Sequence, residues 1–324
     1  MQAPSVASQD SGNGKLRLLC PACRTGEVPF ERLAEACAGC GFRFERDGVV
    51  IRALPPERER HYAAFAKQYL AIRKAEGRGS EDPSYYLALP YQDLSGKLQA
   101  QWEMRGKTYR YLEKTILPGI ERQYRGGLDV LDLGAGTGWL SYRLAQRGHR
   151  PTAVDLLNDP LDGLAASKHF FADLRKKFPV FQAEFDVLPF ADGQFDLAIF
   201  NSSLHYATEY NRTLREVRRC LRPPGRLIIL DSPVYKRAAD GEKMREERHQ
   251  QFESRYGFRS DHIPSIEYLD EPMIASLARE LGIRWTIHRP WYGWRWHTRP
   301  VRAWWQNRRA PSRFWILDGK WGAP

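Results

Sequence analysis

The stretch that decides the fold is LDVLDLGAGTGWLSYRLAQRGHRPTAVD, residues 128–155. It opens with the largely apolar run Leu128–Leu133, continues through three glycines at every second position, and then becomes helix-favouring. A second apolar run, 151–154, ends at Asp155. This order predicts a strand, a glycine loop, a helix and a second strand that together form a parallel unit.

Beyond this unit, strand-like apolar runs continue to alternate with helical stretches, and no internal repeat is evident. Such alternation is typical of a parallel sheet with helices on both faces. We therefore predict an α/β protein built on a doubly wound, Rossmann-like sheet.

The glycine loop carries the main chemical signal. Gly134, Gly136 and Gly138 let the backbone turn tightly and approach a ligand, and the helix that follows offers unpaired N–H groups. Asp155 lies at the tip of the next strand, about 20 residues on, where a carboxylate can accept both hydroxyls of a ribose. These features suit a nucleotide generally.

Two details separate the nucleotide classes. A dinucleotide fingerprint requires a third glycine where this chain has the bulky Trp139. Asp132 stands just before the loop, inside the strand end, where its carboxylate would repel a pyrophosphate but attract an ammonium group. The pattern therefore favours a nucleoside that carries a positive charge.

Four of the five cysteines form two pairs, Cys20-Pro-Ala-Cys23 and Cys37-Ala-Gly-Cys40. Two such pairs supply the four thiolates of a closed tetrahedral site, which is typical of structural Zn²⁺. Two disulfides or a redox-active pair are the alternatives. The absence of a secretory signal argues against the first, and the doubled motif argues against the second.

Composition sets the outer limits. The chain has 324 residues, of which 42% are hydrophobic and 27% charged, so collagen, coiled coil and disulfide-dense scaffolds are excluded. Its net charge of +11 makes an anionic partner plausible. No apolar run approaches the roughly 20 residues of a transmembrane segment, and no secretory signal is evident, so we expect a cytoplasmic protein.

The chain resembles a known family in four successive motifs: VLDLGAGTG, AVD, AEFDVLPFADGQFDLAIFNSSLHY and LRPPGRLIILDSP. In order and spacing these are similar to class I S-adenosylmethionine-dependent methyltransferases, particularly the ubiquinone/menaquinone-biosynthesis branch. The resemblance covers residues 109–232 closely. It implies S-adenosylmethionine as cofactor and a Rossmann-like methyltransferase sheet that ends in an antiparallel strand.

The resemblance also implies roles for individual residues. Asp132 would lie near the methionine amino group, the loop would lie under the methionine and ribose, and Asp155 would hold the ribose hydroxyls. Glu184, five residues before a proline, would reach the adenine amino group, with Asp186 as the alternative if the register slips. The remaining residues expected at the cofactor are Ala135, Leu156, Phe185 and Asn201.

The segment LLCPACRTGEV…CAGCGFRFERDGVVIRAL is similar to small zinc-ribbon activators that bind tRNA and protein methyltransferases. A zinc-binding N-terminus also precedes the catalytic domain in bacterial rRNA guanine-N1 methyltransferases. These likenesses imply a protein partner or an RNA substrate, although the linker and SSLHYATEY are unlike the rRNA family.

The loop after the fourth strand of the fold, Asn201–Tyr206, should face the methyl group, because ligands bind beyond the carboxyl ends of such strands. His205 could act as the base for the acceptor proton, with Asn201 and Tyr206 orienting the acceptor. The alternative is that His205 only packs against the helix that follows.

The C-terminal stretch WYGWRWHTRPVRAWWQNRR is basic and rich in tryptophan. In the family that the chain resembles, a last antiparallel pair closes the sheet, and runs 283–289 and 314–320 would supply it. The tryptophans would then lie in their connection. A surface for a lipid- or glycan-linked acceptor, a peripheral membrane contact and RNA binding are the alternatives.

We therefore expect a disordered tail over 1–14, a zinc ribbon over 15–54, a helical linker or lid over 55–119 and a methyltransferase domain over 120–324. The predicted function is methyl transfer to a small-molecule or lipid/glycan-linked acceptor. The alternatives are an RNA base methyltransferase and a non-catalytic protein in which a cofactor-binding fold is retained as a scaffold.

Overall fold

The computed structural model describes residues 16–124 and 126–322, so the tail expected over 1–14 lies outside the described residues. The strands are β1 (Arg17–Leu19), β2 (Glu27–Pro29), β3 (Glu45–Asp47), β4 (Val50–Arg52), β5 (Asp129–Leu133), β6 (Arg150–Asp155), β7 (Val180–Gln182), β8 (Phe195–Asn201), β9 (Leu221–Leu230), β10 (Val234–Tyr235), β11 (Leu269–Asp270), β12 (Ile283–His288) and β13 (Ile316–Trp321). The α-helices are α1 (Pro56–Ala75), α2 (Pro83–Ala88), α3 (Gln99–Tyr111), α4 (Leu117–Glu121), α5 (Trp139–Gln146), α6 (Tyr210–Cys220), α7 (Ala238–Tyr256), α8 (Glu271–Leu281), α9 (Trp294–His297) and α10 (Arg299–Trp305).

Nine of the described strands form one mixed sheet in the order β12-β13-β9-β8-β5-β6-β7-β4-β3. Pairing is parallel from β9 through β4 and antiparallel at both ends. The chain runs outward from β5 through β6 and β7, and then crosses back to place β8 on the other side of β5. This reversal creates a crevice at the carboxyl ends of β5 and β8, the usual ligand position in such sheets.

The strand β5 is apolar because both of its faces are covered. Leu131 and Leu133 belong to one buried cluster, whereas Val130 belongs to the other. Side chains alternate between the faces of a strand, so Asp132 shares the face of Val130. The same cluster contains Leu140 and Leu144 of α5, and Asp132 is therefore directed towards that helix.

The predicted antiparallel closure of the sheet is confirmed. In the structure β12 pairs with β13 from Ile283 opposite Trp321 to His288 opposite Ile316, and β13 pairs with β9. The tryptophan-rich stretch connects these two strands and forms α9 and α10. Among the described helices, none combines the length and apolarity that a membrane span requires.

The cysteine-containing segment is joined to the main sheet. Its hairpin β3-β4 extends the sheet, because β4 pairs in parallel with β7. In addition, the backbone of β1 exchanges hydrogen bonds with the loop 189–191, where Leu19 donates to Pro189 and Ala191 donates to Arg17. The ribbon, linker and catalytic-domain boundaries stay predictions, but the cysteine-containing segment and the segment after residue 120 contribute strands to one sheet.

Candidate active site

A cavity of about 400 Å³ opens at the carboxyl ends of β5, β6 and β8. One side is formed by the glycine loop after β5 and by the chain that follows β6 and β7. The other side carries aromatic and charged side chains from α1, α3 and α7. We call these the loop side and the aromatic side.

The glycine loop has the backbone conformation that only glycine adopts without strain. Gly134, Gly136 and Gly138 have φ angles of +73°, +55° and +84°. A Cβ atom at Gly134 would lie 2.2 Å from the Cβ atom of Ser203, which follows β8. The glycine loop therefore passes too close to the end of β8 for a side chain at this position. Backbone atoms therefore line this part of the cavity.

Asp132 offers a buried carboxylate to the cavity. Its Oδ2 atom accepts a hydrogen bond of 2.8 Å from the Ser141 hydroxyl, whereas its Oδ1 atom has no partner among the described residues. Burial, opposed by the Ser141 hydrogen bond, raises the pKa of Asp132 to about 7. A buried acceptor without a donor is costly, and a ligand ammonium group would satisfy it.

Asp155 is held at the tip of β6 by backbone groups. Its two oxygens accept hydrogen bonds from the N–H groups of Gly136, at 2.8 Å, and Leu157, at 2.9 Å. Burial raises the pKa of Asp155, and the backbone donors oppose that rise. Each oxygen keeps a lone pair, so the carboxylate can still accept from the two hydroxyls of a ribose.

Glu184 is buried and bound by two side chains of α1. Arg58 donates from Nε to Oε1 at 2.8 Å, and the Tyr62 hydroxyl donates to Oε2 at 2.7 Å. The alternative acid, Asp186, accepts from the Thr213 hydroxyl at 2.5 Å. Both carboxylates line the cavity, as do Phe185, Ala135 and Leu156.

The three residues predicted to act on the acceptor also line the cavity. His205 is buried, and its Nδ1 atom lies 3.2 Å from the Ser232 hydroxyl. Burial, followed by the positive charges of Arg248 and Arg105, lowers the pKa of His205 to about 3, so the imidazole is neutral at pH 7.

Asn201 and Tyr206 belong to the same loop as His205 and differ in their surroundings. The amide Oδ1 of Asn201 is buried without a partner in the described part of the chain. The ring of Tyr206 contacts the rings of Phe65 and Tyr69 on α1, with centroid distances of 6.4 and 5.8 Å. The loop 201–206 therefore connects the two sides of the cavity, the loop side formed by the glycine loop and the aromatic side.

The aromatic side contains a cation that sequence reasoning missed. The guanidinium of Arg105 lies 5.0 Å from the ring centroid of Trp102 and donates to the Ser202 hydroxyl at 3.2 Å. Within residues 16–124 and 126–322 it forms no ion pair. Burial, with the charges of Arg73 and Arg78, lowers the pKa of Arg105. An anionic ligand group would relieve this excess of positive charge.

Asp231 was also missed by sequence reasoning. Its backbone has a φ angle of +53°, and its buried carboxylate accepts from the Thr108 hydroxyl at 2.7 Å. Burial raises the pKa of Asp231 to about 6, and its Oδ2 atom has no partner in the described ranges. The sequence feature that could have identified Asp231 is its position directly after the apolar run of β9, because ligands bind beyond the carboxyl ends of parallel strands.

The four predicted cysteines lie together. Their sulfur atoms are all within 4.8 Å of one another, and the Cys20–Cys40 and Cys23–Cys37 pairs are each 3.6 Å apart. All four are free thiols. A Cβ atom at Gly26 would lie 2.4 Å from the Cys37 sulfur, so the backbone wraps closely around the cluster. This geometry can hold a metal ion.

The chain is similar in sequence to several known methyltransferases. The family profile described as "Methyltransferase domain" matches residues 131–229. A ubiquinone/menaquinone biosynthesis C-methyltransferase from Hahella chejuensis is 30% identical over 172 aligned positions, and the match covers 48% of this chain and 69% of that protein. A malonyl-[acyl-carrier protein] O-methyltransferase from Buchnera aphidicola is 30% identical over 134 residues, covering 41% and 51% of the two chains.

A solved structure, that of 1,6-didemethyltoxoflavin-N1-methyltransferase from Burkholderia thailandensis, is 16% identical, with a TM-score of 0.47 over 86% of this chain and 93% of that one. The chain belongs to the class I S-adenosylmethionine-dependent methyltransferases, as its motifs predicted. It spans about half the length of the first curated relatives that it matches.

Proposed function

We propose that this chain transfers a methyl group from S-adenosylmethionine to a small-molecule or lipid-linked acceptor that binds on the aromatic side of the cavity. The observation that carries the proposal is the unpartnered Oδ1 atom of buried Asp132, next to a glycine loop and to Asp155. A buried carboxylate of this kind matches the ammonium group of methionine.

Different residues of the loop side would bind different parts of the cofactor. Asp132 would bind the amino group of S-adenosylmethionine, Asp155 would accept from the ribose hydroxyls, and the backbone of the glycine loop would lie under the methionine and ribose. Phe185 would flank the adenine ring. Glu184 keeps lone pairs for the adenine amino group, and Arg58 and Tyr62 hold its carboxylate in place.

S-adenosylmethionine supplies an activated methyl group on a positively charged sulfur. The acceptor nucleophile forms a bond to the methyl carbon as the bond from carbon to sulfur breaks, and the electron pair returns to sulfur. The protein must hold the nucleophile about 3 Å from the methyl carbon and exclude water. Because the methyl group is already activated, a strong acid–base pair is not required. In this proposal Asn201 and Tyr206 orient the acceptor, and the neutral imidazole of His205 accepts its proton.

The walls of the aromatic side support an aromatic or apolar acceptor with a negative charge. Phe65, Tyr69 and Trp102 supply rings, and Arg105 supplies a cation without an ion pair in the described chain. The names of the relatives agree with such an acceptor, because they refer to quinone biosynthesis and to a malonyl group on a carrier.

We also propose that the four cysteines hold a structural Zn²⁺ ion. Thiolates at about 2.3 Å from a tetrahedral zinc place neighbouring sulfurs about 3.8 Å apart, close to the 3.6 Å of the two pairs here. Four thiolates leave no open position, so the ion takes no part in methyl transfer.

The test is calorimetry followed by product identification. The purified chain should bind S-adenosylmethionine and S-adenosylhomocysteine, and labelled cofactor should mark one acceptor in metabolite or lipid extracts analysed by mass spectrometry. A folded protein without detectable cofactor binding would support the scaffold alternative instead. Label found only in RNA would support the RNA alternative.

A further inference from the structure

The connection between β12 and β13 exposes large apolar side chains. Trp294, Trp304 and Trp305 are 77%, 78% and 86% exposed, and Val301 is 68% exposed. On α10, the residues 301, 304 and 305 are spaced by three and four positions and therefore share one face of the helix. No described segment of the chain covers this face, which we call the Trp face.

The same connection is strongly basic. Residues 289–313 contain seven arginines and no acid. Arg309 and Arg313 pair with Glu247 and Glu271, whereas the side chains of Arg295, Arg302 and Arg308 form no ion pair in the described parts of the chain. The apolar face is thus bordered by cations that are free to bind anions.

The connection is also fixed beside the cavity. Trp296 packs on Phe314 and on Tyr292, with centroid distances of 5.2 Å in each case. Phe314 lines the cavity, and the Tyr292 hydroxyl lies 3.0 Å from that of Thr108 on α3. A partner bound to the Trp face therefore lies close to the cavity.

We infer that the Trp face binds the surface of an anionic lipid bilayer. Tryptophan is suited to the boundary between headgroups and acyl chains, and each unpaired arginine near the surface strengthens binding to anionic headgroups by roughly fivefold. RNA would engage the same arginines, but exposed Val301 offers no ring on which a base could stack. The chemistry of a valine and two tryptophans on one helix face fits an interfacial helix better.

Vesicle sedimentation with the full chain tests this inference. The protein should pellet with vesicles of phosphatidylcholine containing about 30% phosphatidylglycerol, and much less with phosphatidylcholine alone. The double variant Trp304→Ser, Trp305→Ser should bind at least about tenfold more weakly. Arg302→Gln with Arg308→Gln should weaken binding by about tenfold or more and reduce its salt dependence.

A matched control is Leu94→Ser, because Leu94 is an exposed apolar residue elsewhere, on the segment before α3. It should bind vesicles as the unaltered chain does. The inference is wrong if the chain does not bind these vesicles, if the Trp and Arg variants bind normally, or if the same variants lose binding only to a single-stranded RNA oligonucleotide. S-adenosylmethionine affinity, measured in parallel, should not change, so this failure is distinct from failure of the proposed function.

Discussion

Replacing Asp132 by Asn should weaken cofactor binding and, at the same time, stabilise the cofactor-free protein. The substitution keeps the shape of the side chain and an oxygen for the Ser141 hydroxyl, and it removes the charge. Loss of one partner of a buried, hydrogen-bonded charge pair costs about 2–5 kcal/mol, so S-adenosylmethionine affinity should fall by about 30-fold to a few thousandfold.

The stability change has the opposite sign. The carboxyl has a pKa of about 7 in the folded protein against 3.8 as its ordinary value. Below about pH 3.8 the carboxyl is protonated in both the folded and the unfolded protein, so Asp132 costs no stability. Stability is lost as the pH rises from about 3.8 to 7, because over this range the unfolded protein releases the proton and the folded protein retains it. At pH 8 the buried charge costs up to about 4 kcal/mol.

Asn removes that cost but adds an amide N–H₂ group that faces the place of the unpartnered Oδ1 atom. An unsatisfied buried donor costs about 1–3 kcal/mol, which leaves a net gain of roughly 1–3 kcal/mol. We expect the melting temperature of the cofactor-free variant at pH 8 to rise by a few degrees. The gain should disappear near pH 4, because the carboxyl is then protonated in the folded protein.

Calorimetry gives the affinity, and thermal unfolding with and without S-adenosylmethionine gives the stability. Asp196→Asn is the matched control: Asp196 is also buried, but it pairs with Arg222 at 2.5 Å and accepts from the backbone of Asp129. That variant should lose stability and keep its affinity. The reasoning fails if Asp132→Asn binds the cofactor normally, or if it is destabilised at pH 8 like the control.

Four further outcomes are expected. S-adenosylmethionine affinity should fall about tenfold between pH 8 and pH 6, because Asp132, with a pKa of about 7, must be ionised to bind an ammonium group; a flat calorimetric profile would contradict this. His205→Gln should lower turnover about 100-fold if the imidazole takes the acceptor proton, and an unchanged rate would remove it from the mechanism. Arg105→Met should raise KM for an anionic acceptor by about 30-fold or more and leave S-adenosylmethionine affinity unchanged, whereas Arg105→Lys should recover part of the loss; equal KM values in all three proteins would show that the cation does not bind the acceptor. Removing the metal with a chelator should lower the melting temperature by several degrees and also weaken S-adenosylmethionine binding, with both restored by zinc; a chelated protein with unchanged stability would show that the cysteines hold no structural ion.

The parts of the fold that sequence predicted are those with local signals. Residues 128–155 carry the strand, loop and helix within one continuous stretch, and their periodicity is unambiguous. The closing pair of β12 and β13 was predicted through the family resemblance, and the observed strands differ from it by one or two residues at three of their four ends. The cysteine cluster was predicted by spacing alone.

The missing features depend on long-range contacts. Arg58 and Glu184 are 126 positions apart, and nothing in the composition of α1 singles out that arginine among its many charged residues. Arg105 is conspicuous only because the fold buries it near the cations Arg73 and Arg78, while Asp231 acts on it without forming an ion pair in the described chain. Such an excess of charge is a property of the packed site, which a linear sequence does not display.

The joining of the cysteine segment to the sheet changes how the metal and the cofactor are related. The strand β4 pairs with β7, and the next residue, Ala53, donates from its N–H group to the carbonyl of Gln182. The chain then enters α1 at once, and Arg58 in its first turn binds Glu184, two residues beyond Gln182. The cysteine cluster is therefore connected, through the hairpin β3-β4, to the start of the helix that holds the expected adenine-binding carboxylate. A metal ion far from the methyl group would affect cofactor affinity through this short connection, without any contact to the cofactor itself.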